Sequence, residues 1–205
     1  MIELLIRIYA DVQPETSTDG VFLFGQTEDN EASVLHKSIE LLKHSYTKQI
    51  LIIDTQPISG HPGFDAWKQK LVRENIHEYA IKGVPLPETP IIHTLVEAEA
   101  LMHFARQQRY TSLHITAAPF HQLRAFMTAI TAALRIYPQI RLYSQPGSAL
   151  PWLEKVHHSQ GKTYGTRSEL IAGELQRIEK YGDKGDLLSA EQVLAYLNKR
   201  DSKSE

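Results

Sequence analysis

Short apolar runs recur along this chain, and stretches with helical periodicity separate them. This alternation limits the fold more than any other feature of the sequence. The runs lie at residues 21–24, 49–54, 112–117 and 140–143. Such runs are typical of strands buried on both faces of a parallel sheet. Right-handed crossovers between them predict an α/β fold, a three-layer sandwich with a mostly parallel sheet.

The segments between these runs predict the helices. Apolar residues at helical spacing predict helices at about 31–44, 64–72 and 95–108, with a further helical piece that reaches residue 81. Residues 2–9 alternate between apolar and polar positions and predict a strand, with a short helix as the alternative. Prolines and a glycine make residues 83–90 a connection, which leads to a short strand around residues 91 and 92.

The C-terminal part of the chain differs in character from the rest. We expect residues 1–146 to form the α/β domain and residues 147–205 to form a helical extension packed on it. Helices are predicted at about 168–181 and 189–199. The preceding segment, 145–165, is rich in Gly, Pro and Ser, and we interpret it as a loop with His157 and His158 at the surface.

Composition excludes several classes of function. The net charge of -2 gives no general attraction to nucleic acid, and no run of about 18 apolar residues predicts a membrane span. The charged N-terminal segment does not resemble a signal peptide. The chain has no cysteine, and its ten histidines are not spaced with carboxylates as metal ligands. We therefore expect a cytoplasmic protein without a metal, a membrane or a nucleic-acid partner, and we leave a homo-oligomer open.

The most informative stretch joins the run at 112–117 to a helix. Pro119 suits the first helical position, and Ala118 before it offers no side-chain cap. Uncapped N–H groups at a helix start favour an anion. His121 and Arg124 share a face of the same helix because they are three residues apart. This stretch predicts an anion site with one titratable group and one permanent charge, although a solvated helix face is the alternative.

Further candidates follow the other predicted strands. In an open parallel sheet, ligands bind beyond the carboxyl ends of the strands, so the candidates should share one edge. They are Gly25, Gln26 and Thr27 after the first run, Asp54 after the second, and Thr94 with Glu97. Each has a structural alternative. Gly25 suits a tight turn, Asp54 suits a loop or cap, and Thr94 with Glu97 suits a capping box.

The order of these motifs resembles the YdcF/SanA/ElyC-type domain family over about residues 20–145. The matching features are the buried strand that ends in Gly25, a helix that opens with Thr94 and Glu97, and the strand and helix that lead to His121-x-x-Arg124-Ala. The resemblance implies a Rossmann-like fold. It also implies S-adenosylmethionine as a candidate ligand, because one member is linked with binding it. Other members, which have membrane segments, are linked with the cell envelope.

The chain departs from the family pattern at several positions. Gln26 replaces a usual second glycine, Asp54 and Thr55 replace a usual serine-glycine, and Ala117 and Ala118 occupy a position where serine is usual. An arginine that is usual early in the first helix is also missing. We therefore expect a divergent member of the family that this chain resembles, and we leave a change of ligand open.

Together these features predict a protein that binds a small anionic ligand, phosphate-bearing or nucleotide-like, and that acts as an enzyme or a binding protein. Arg124 would hold the anion together with the backbone at Ala118. His121 would serve as donor or general acid–base, with its pKa lowered by the helix end, and Glu97 would orient His121 or act as a base. Gly25 would let the ligand approach the backbone closely.

Two alternatives stay open at this point. The first is S-adenosylmethionine binding with methyl transfer, although no glycine-rich G-x-G-x-x-G loop supports it. The second is an interaction module without catalysis, in which the C-terminal helices dock a partner.

Overall fold

A computed structural model of the chain describes residues 1–58, 60–87, 92–158 and 161–202. Its central element is a five-stranded sheet with every pair of neighbours parallel. The strands are β1 (Gly20–Leu23), β2 (Ile50–Asp54), β3 (Ile81–Pro85), β4 (Ser112–Thr116) and β5 (Arg141–Ser144), in the order β3-β2-β1-β4-β5. The prediction of a mostly parallel α/β sheet is confirmed.

Helices cover both faces of this sheet. They are α1 (Ile2–Tyr9), α2 (Glu28–Lys43), α3 (Phe64–Arg73), α4 (Thr94–Gln107), α5 (Pro119–Ile136), α6 (Arg167–Asp183) and α7 (Ala190–Asp201). Alternate residues of β1 separate the two cores. Phe22 packs with apolar residues of α1, α4, α5 and α7, whereas Val21 and Leu23 pack with α2 and α3. Because successive side chains of a strand point to opposite faces, each face of the sheet has its own core and its own layer of helices.

A two-stranded antiparallel hairpin precedes α6. Its strands are β6 (Lys155–His158) and β7 (Thr163–Thr166), in a segment that the sequence analysis interpreted as a loop. The helices of the C-terminal extension pack on the rest of the chain, because Ile178 of α6 and Leu197 of α7 share a hydrophobic core with α4 and α5. None of the helices in the described ranges has the length and apolarity to span a bilayer.

Several of the predicted elements are wrong. Residues 2–9 form a helix and not a strand. Leu4 and Ile8, one helical turn apart, are fully buried, whereas Ile2 and Ile6 are exposed. The second error is β3, because the sequence predicted a helical piece and a connection where this edge strand and a short 3₁₀ turn (Glu78–Ala80) lie.

A short strand was also predicted around residues 91 and 92, and the structure does not show a strand at Ile92. Ile92 lies outside the sheet, and residue 91 falls outside the described ranges.

The strand order contains one reversal. From β1 the chain moves outward through β2 to β3, and it then returns to place β4 on the other side of β1. At such a switch point the connections after the two central strands leave in opposite directions and open a crevice at their carboxyl ends. In this chain the crevice lies between the residues that follow β1 and those that follow β4.

Candidate functional site

A cavity of about 480 Å³ lies at the carboxyl ends of the strands, beside this switch point. The segment after β1, the first turns of α4 and α5, the β6–β7 hairpin and helix α6 all contribute to its wall. The residues that line it are Gly25, Gln26, Thr27, Ile58, His61, Ile92, His93, Thr94, Glu97, His121, Arg124, His158, Lys162, Thr163, Arg177, Lys180 and Tyr181.

The structure brings together seven of the nine residues predicted for the site. They are Gly25, Gln26, Thr27, Thr94, Glu97, His121 and Arg124. Asp54 is not among them. It is an exposed residue at the end of β2, and its side chain lies against Gly83 of the neighbouring edge strand. The structure therefore does not bring Asp54 together with the other candidates, although the loop that follows β2 reaches the cavity at Ile58 and His61.

The start of α5 is also arranged differently from the prediction. Ala118 provides no side-chain cap and Pro119 begins the helix, as expected. Ala118 and Phe120, however, pack with Val156 and Leu170 in an apolar cluster. The crevice beside them, about 10 Å³, holds about one water molecule at most. Residues 118–120 do not reach the large cavity, so the anion site predicted at Ala118 is corrected.

Glu97 is buried against Gly25 and does not form the predicted capping box. Helix α4 begins at Thr94 without a side-chain cap, and the Thr94 hydroxyl accepts a hydrogen bond from Arg124 at 2.9 Å. The Glu97 carboxyl accepts one from the Gly25 N–H at 3.2 Å. Burial raises the pKa of Glu97 to about 7, although the Gly25 hydrogen bond and the charge of Arg124 oppose the shift. Glu97 can therefore give or take a proton near neutral pH.

His121 is a neutral donor. The side-chain amide nitrogen of Gln26 donates to the Phe24 carbonyl at 3.2 Å and faces His121 Nδ1 at 3.5 Å. Nδ1 is then an acceptor, which assigns the proton to Nε2. Burial, reinforced by the charge of Arg124, holds the pKa of His121 well below its usual value. Its Nε2–H has no hydrogen-bond partner among the described residues, and a Glu174 oxygen lies 4.0 Å away.

His61 supplies a second neutral donor that the sequence analysis did not predict. Its Nδ1 accepts the Gly63 N–H at 2.9 Å, and its ring packs on Trp67 with the centroids 4.4 Å apart. Burial lowers the pKa of His61 to about 4. The Nε2 atom carries the proton and lacks a partner within the described ranges. Two residues of the cavity wall thus carry unpaired imidazole N–H groups.

Glu174 of α6 organises the positive side chains beside His121. Its carboxylate accepts hydrogen bonds from Arg124 Nε at 2.6 Å, from Arg177 Nη1 at 2.6 Å and from His158 Nε2 at 2.9 Å. Burial acts to raise the pKa of Glu174, but the charges and hydrogen bonds around it hold that pKa far below its usual value. The sequence predicted Arg124 as the cation for an external anion, whereas the structure pairs it with a carboxylate of the chain itself.

Lysines add unpaired positive charge to the cavity wall. Lys162, just before β7, and Lys180, in α6, are exposed residues. Neither forms an ion pair with any carboxylate of the described residues. Glu97 supplies the one carboxyl group on the described part of the wall. The single negative charge of Glu174 neutralises only one of the two positive charges of Arg124 and Arg177. The cavity therefore has net positive charge near neutral pH.

Sequence reasoning missed the contribution of the C-terminal extension. It placed His157 and His158 in a surface loop, but His158 is a buried residue of β6 and only its neighbour is exposed. One signal was available in α6. Leu170, Glu174 and Ile178 are spaced four residues apart and are all buried, so a glutamate interrupts the apolar face of this helix. A carboxylate at such a position needs cationic partners.

The described ranges contain no group of three or more His, Cys, Asp or Glu residues placed to hold a metal ion. Comparison with known proteins found no matching family model, no similar curated protein and no similar solved structure. The geometry and charge of the cavity are therefore the basis for a proposal about function.

Proposed function

We propose that this chain binds a small anionic ligand, one with a phosphate group, in the cavity at the switch point. The observation that supports the proposal is the charge of the cavity wall. Four cationic side chains line it: Arg124, Arg177, Lys162 and Lys180. Glu97, the carboxyl group on the described wall, is about half protonated at neutral pH because its pKa is about 7. A phosphate ester has close to two negative charges there and three acceptor oxygens.

The unpaired imidazole donors support the same ligand. The Nε2–H groups of His61 and His121 lack partners among the described residues. A buried donor without an acceptor costs about 1–3 kcal/mol, and a phosphate oxygen that accepts from either group would recover that loss. S-adenosylmethionine has a net charge of +1 at neutral pH, so the lysines of the wall favour it less than a phosphate-bearing anion. The cavity wall therefore favours the anion over this alternative.

The proposal assigns chemical roles to two residues. With a pKa of about 7, Glu97 would act as a general acid–base toward a bound ester. His121 would donate a hydrogen bond to an oxygen on which negative charge develops, because its ring is neutral and its Nε2–H is unpaired. These roles would make the protein an enzyme that acts on a phosphate-bearing substrate in the cytoplasm.

The similarity to the YdcF/SanA/ElyC-type family is part of this proposal. The residues that match its motifs, Thr94, Glu97, His121 and Arg124, all line the same cavity. The envelope role of some members is not part of the proposal, since the described helices include no membrane span.

Titration calorimetry with inorganic phosphate and pyrophosphate at low salt tests the proposal. Replacing both lysines (Lys162→Ala with Lys180→Ala) should weaken phosphate binding roughly three- to tenfold, because two nearby exposed charges are removed. The matched control is Lys184→Ala, which removes an exposed charge one turn beyond Lys180 and outside the cavity. Absence of any phosphate or pyrophosphate binding to the wild-type protein would contradict the proposal.

A further inference from the structure

A second cavity, of about 280 Å³, adjoins the first. The two have four lining residues in common: His93, Thr94, Arg124 and Tyr181. The rest of the smaller cavity is lined by Leu95, Thr128, Asp186 and Leu187. Small-molecule sites occupy about 300–1,000 Å³, so the two cavities together suit one ligand with two parts.

Charge distinguishes the two cavities. Lys162, Arg177 and Lys180 line the larger cavity alone, whereas Asp186 lines the smaller one alone. Arg124 lines both cavities, so an anionic group is attracted to the larger one and is opposed by Asp186 in the smaller one. A ligand with one phosphate therefore has a single favourable orientation, in which its uncharged part lies in the smaller cavity.

The smaller cavity has polar groups that suit hydroxyls. The Asp186 side chain forms no hydrogen bond or ion pair with other described residues, and it is partly exposed. Thr128 is 4% exposed, and its hydroxyl donates to the Arg124 carbonyl at 2.7 Å, which leaves the hydroxyl oxygen able to accept. A purely apolar group would desolvate the carboxylate without replacing its hydrogen bonds to water. Hydroxyl groups would replace them.

Apolar surface is present beside these polar groups. Leu187 is 6% exposed, Leu95 is half-buried, and both line the smaller cavity with the ring of Tyr181. Side chains of this kind pack against the C–H face of a ring. Together with the acceptors, they match a ring that has both apolar faces and hydroxyl groups.

We infer that the ligand is a phosphate monoester of a hydroxylated ring, a sugar or a nucleoside, with its phosphate in the larger cavity and its ring in the smaller one, where a hydroxyl donates to Asp186. This inference rests on the proposed function, since it takes phosphate binding in the larger cavity as given. It adds the class of ester and the residue that selects it.

Titration calorimetry on the full chain tests this inference with four probes: inorganic phosphate, a hexose 6-phosphate, adenosine 5′-monophosphate and the unphosphorylated hexose. At least one ester should bind about tenfold or more tightly than phosphate, because a hydroxyl–carboxylate hydrogen bond is added. The ester that does so identifies the ring as sugar or nucleoside. The unphosphorylated hexose should bind more weakly than its phosphate ester.

The variant Asp186→Ala should lower the affinity for the preferred ester about tenfold and leave phosphate affinity within about twofold. Asp183→Ala is the matched control, since this exposed aspartate at the end of α6 lies outside both cavities. Asp186→Asn, which keeps the shape and one acceptor, should lie between the wild type and the alanine variant.

The outcomes separate this inference from the proposed function. If phosphate binds but neither ester binds more tightly, or if Asp186→Ala weakens phosphate and ester equally, the inference is overturned and the proposed function stands. If neither phosphate nor ester binds, both are contradicted. Circular dichroism of each variant checks that the fold is retained.

Discussion

The buried position of Glu97 depends on the absence of a side chain at Gly25. Gly25 was predicted to let a ligand approach the backbone, but the group that approaches it is the carboxyl of Glu97. A Cβ built at residue 25 would lie 2.7 Å from Glu97 Oε1 and 3.2 Å from the ring of His61. The absent side chain thus makes room for the buried Glu97 carboxyl.

This close approach gives the first prediction at the scale of residues. Gly25→Ala should destabilise the protein by about 1–3 kcal/mol, because the added methyl must displace the buried carboxyl. Gly182→Ala is the control, since residue 182 is helical and has nothing within 4 Å of an added Cβ. That change should be neutral or stabilise by up to about 1 kcal/mol. Urea denaturation measures both, and equal effects would show that residue 25 has free space.

Burial of Glu97 predicts a specific pH dependence. Its pKa is raised from 4.5 to about 7 on folding, so the folded state binds the proton more tightly than the unfolded chain. The resulting stabilisation is complete below the lower pKa and is lost as the pH rises through the higher one. Glu97→Gln, which cannot ionise, should therefore gain roughly 2–3 kcal/mol relative to the wild type between about pH 5 and pH 8.

Urea denaturation across that pH range checks the prediction. Glu99→Gln is the matched control on the same helix, because the Glu99 side chain is 40% exposed. A constant difference in unfolding free energy between the wild type and Glu97→Gln would contradict a raised pKa.

At the scale of elements, the sequence was most informative where periodicity had one interpretation. The apolar runs that became β1, β2, β4 and β5 were predicted, as were all helices after α1. In α1 every second residue is apolar, so Leu4 and Ile8 fit both a strand and a helix. The helix forms because it buries Leu4 and Ile8 together against the core. Edge strand β3 contains Gly83 and ends in Pro85, and both residues predict a loop. The proline is tolerated because β3 lies at the edge of the sheet.

A buried ion pair anchors helix α7 in addition to its apolar contacts, and this gives a prediction for the element. Arg200 pairs with Asp11 at 2.6 Å, donates to the Leu142 carbonyl at 2.7 Å and lies over the Tyr143 ring. Arg200→Ala leaves the Asp11 carboxylate without this partner and should cost about 3–5 kcal/mol. Lys199→Ala, at an exposed position of the same helix, should change stability by less than about 0.5 kcal/mol. Denaturation midpoints that shift equally would contradict the anchoring role.

At the scale of the whole molecule, the location of the cavity followed from topology. The rule that ligands bind beyond the carboxyl ends of parallel strands brought Gly25, Glu97 and His121 together before any coordinates were known. It also included Asp54, whose side chain lies against Gly83 instead, because the rule gives the edge of the sheet and not the direction of each side chain. The opposite wall could not be predicted, since Glu174 and His158 meet Arg124 only through the packing of α6 and the hairpin.

The position of α6 along the chain has a consequence for biosynthesis. The strands and helices that form the first wall of the cavity are translated early, whereas Arg177 and Lys180 emerge near the end. During translation, Arg124 has no Glu174 to pair with, and the cavity has no second wall. Under the proposed function, a nascent chain would not retain the ligand before this second wall has formed. Ligand capture would then be a late event, available only to chains whose synthesis has passed α6.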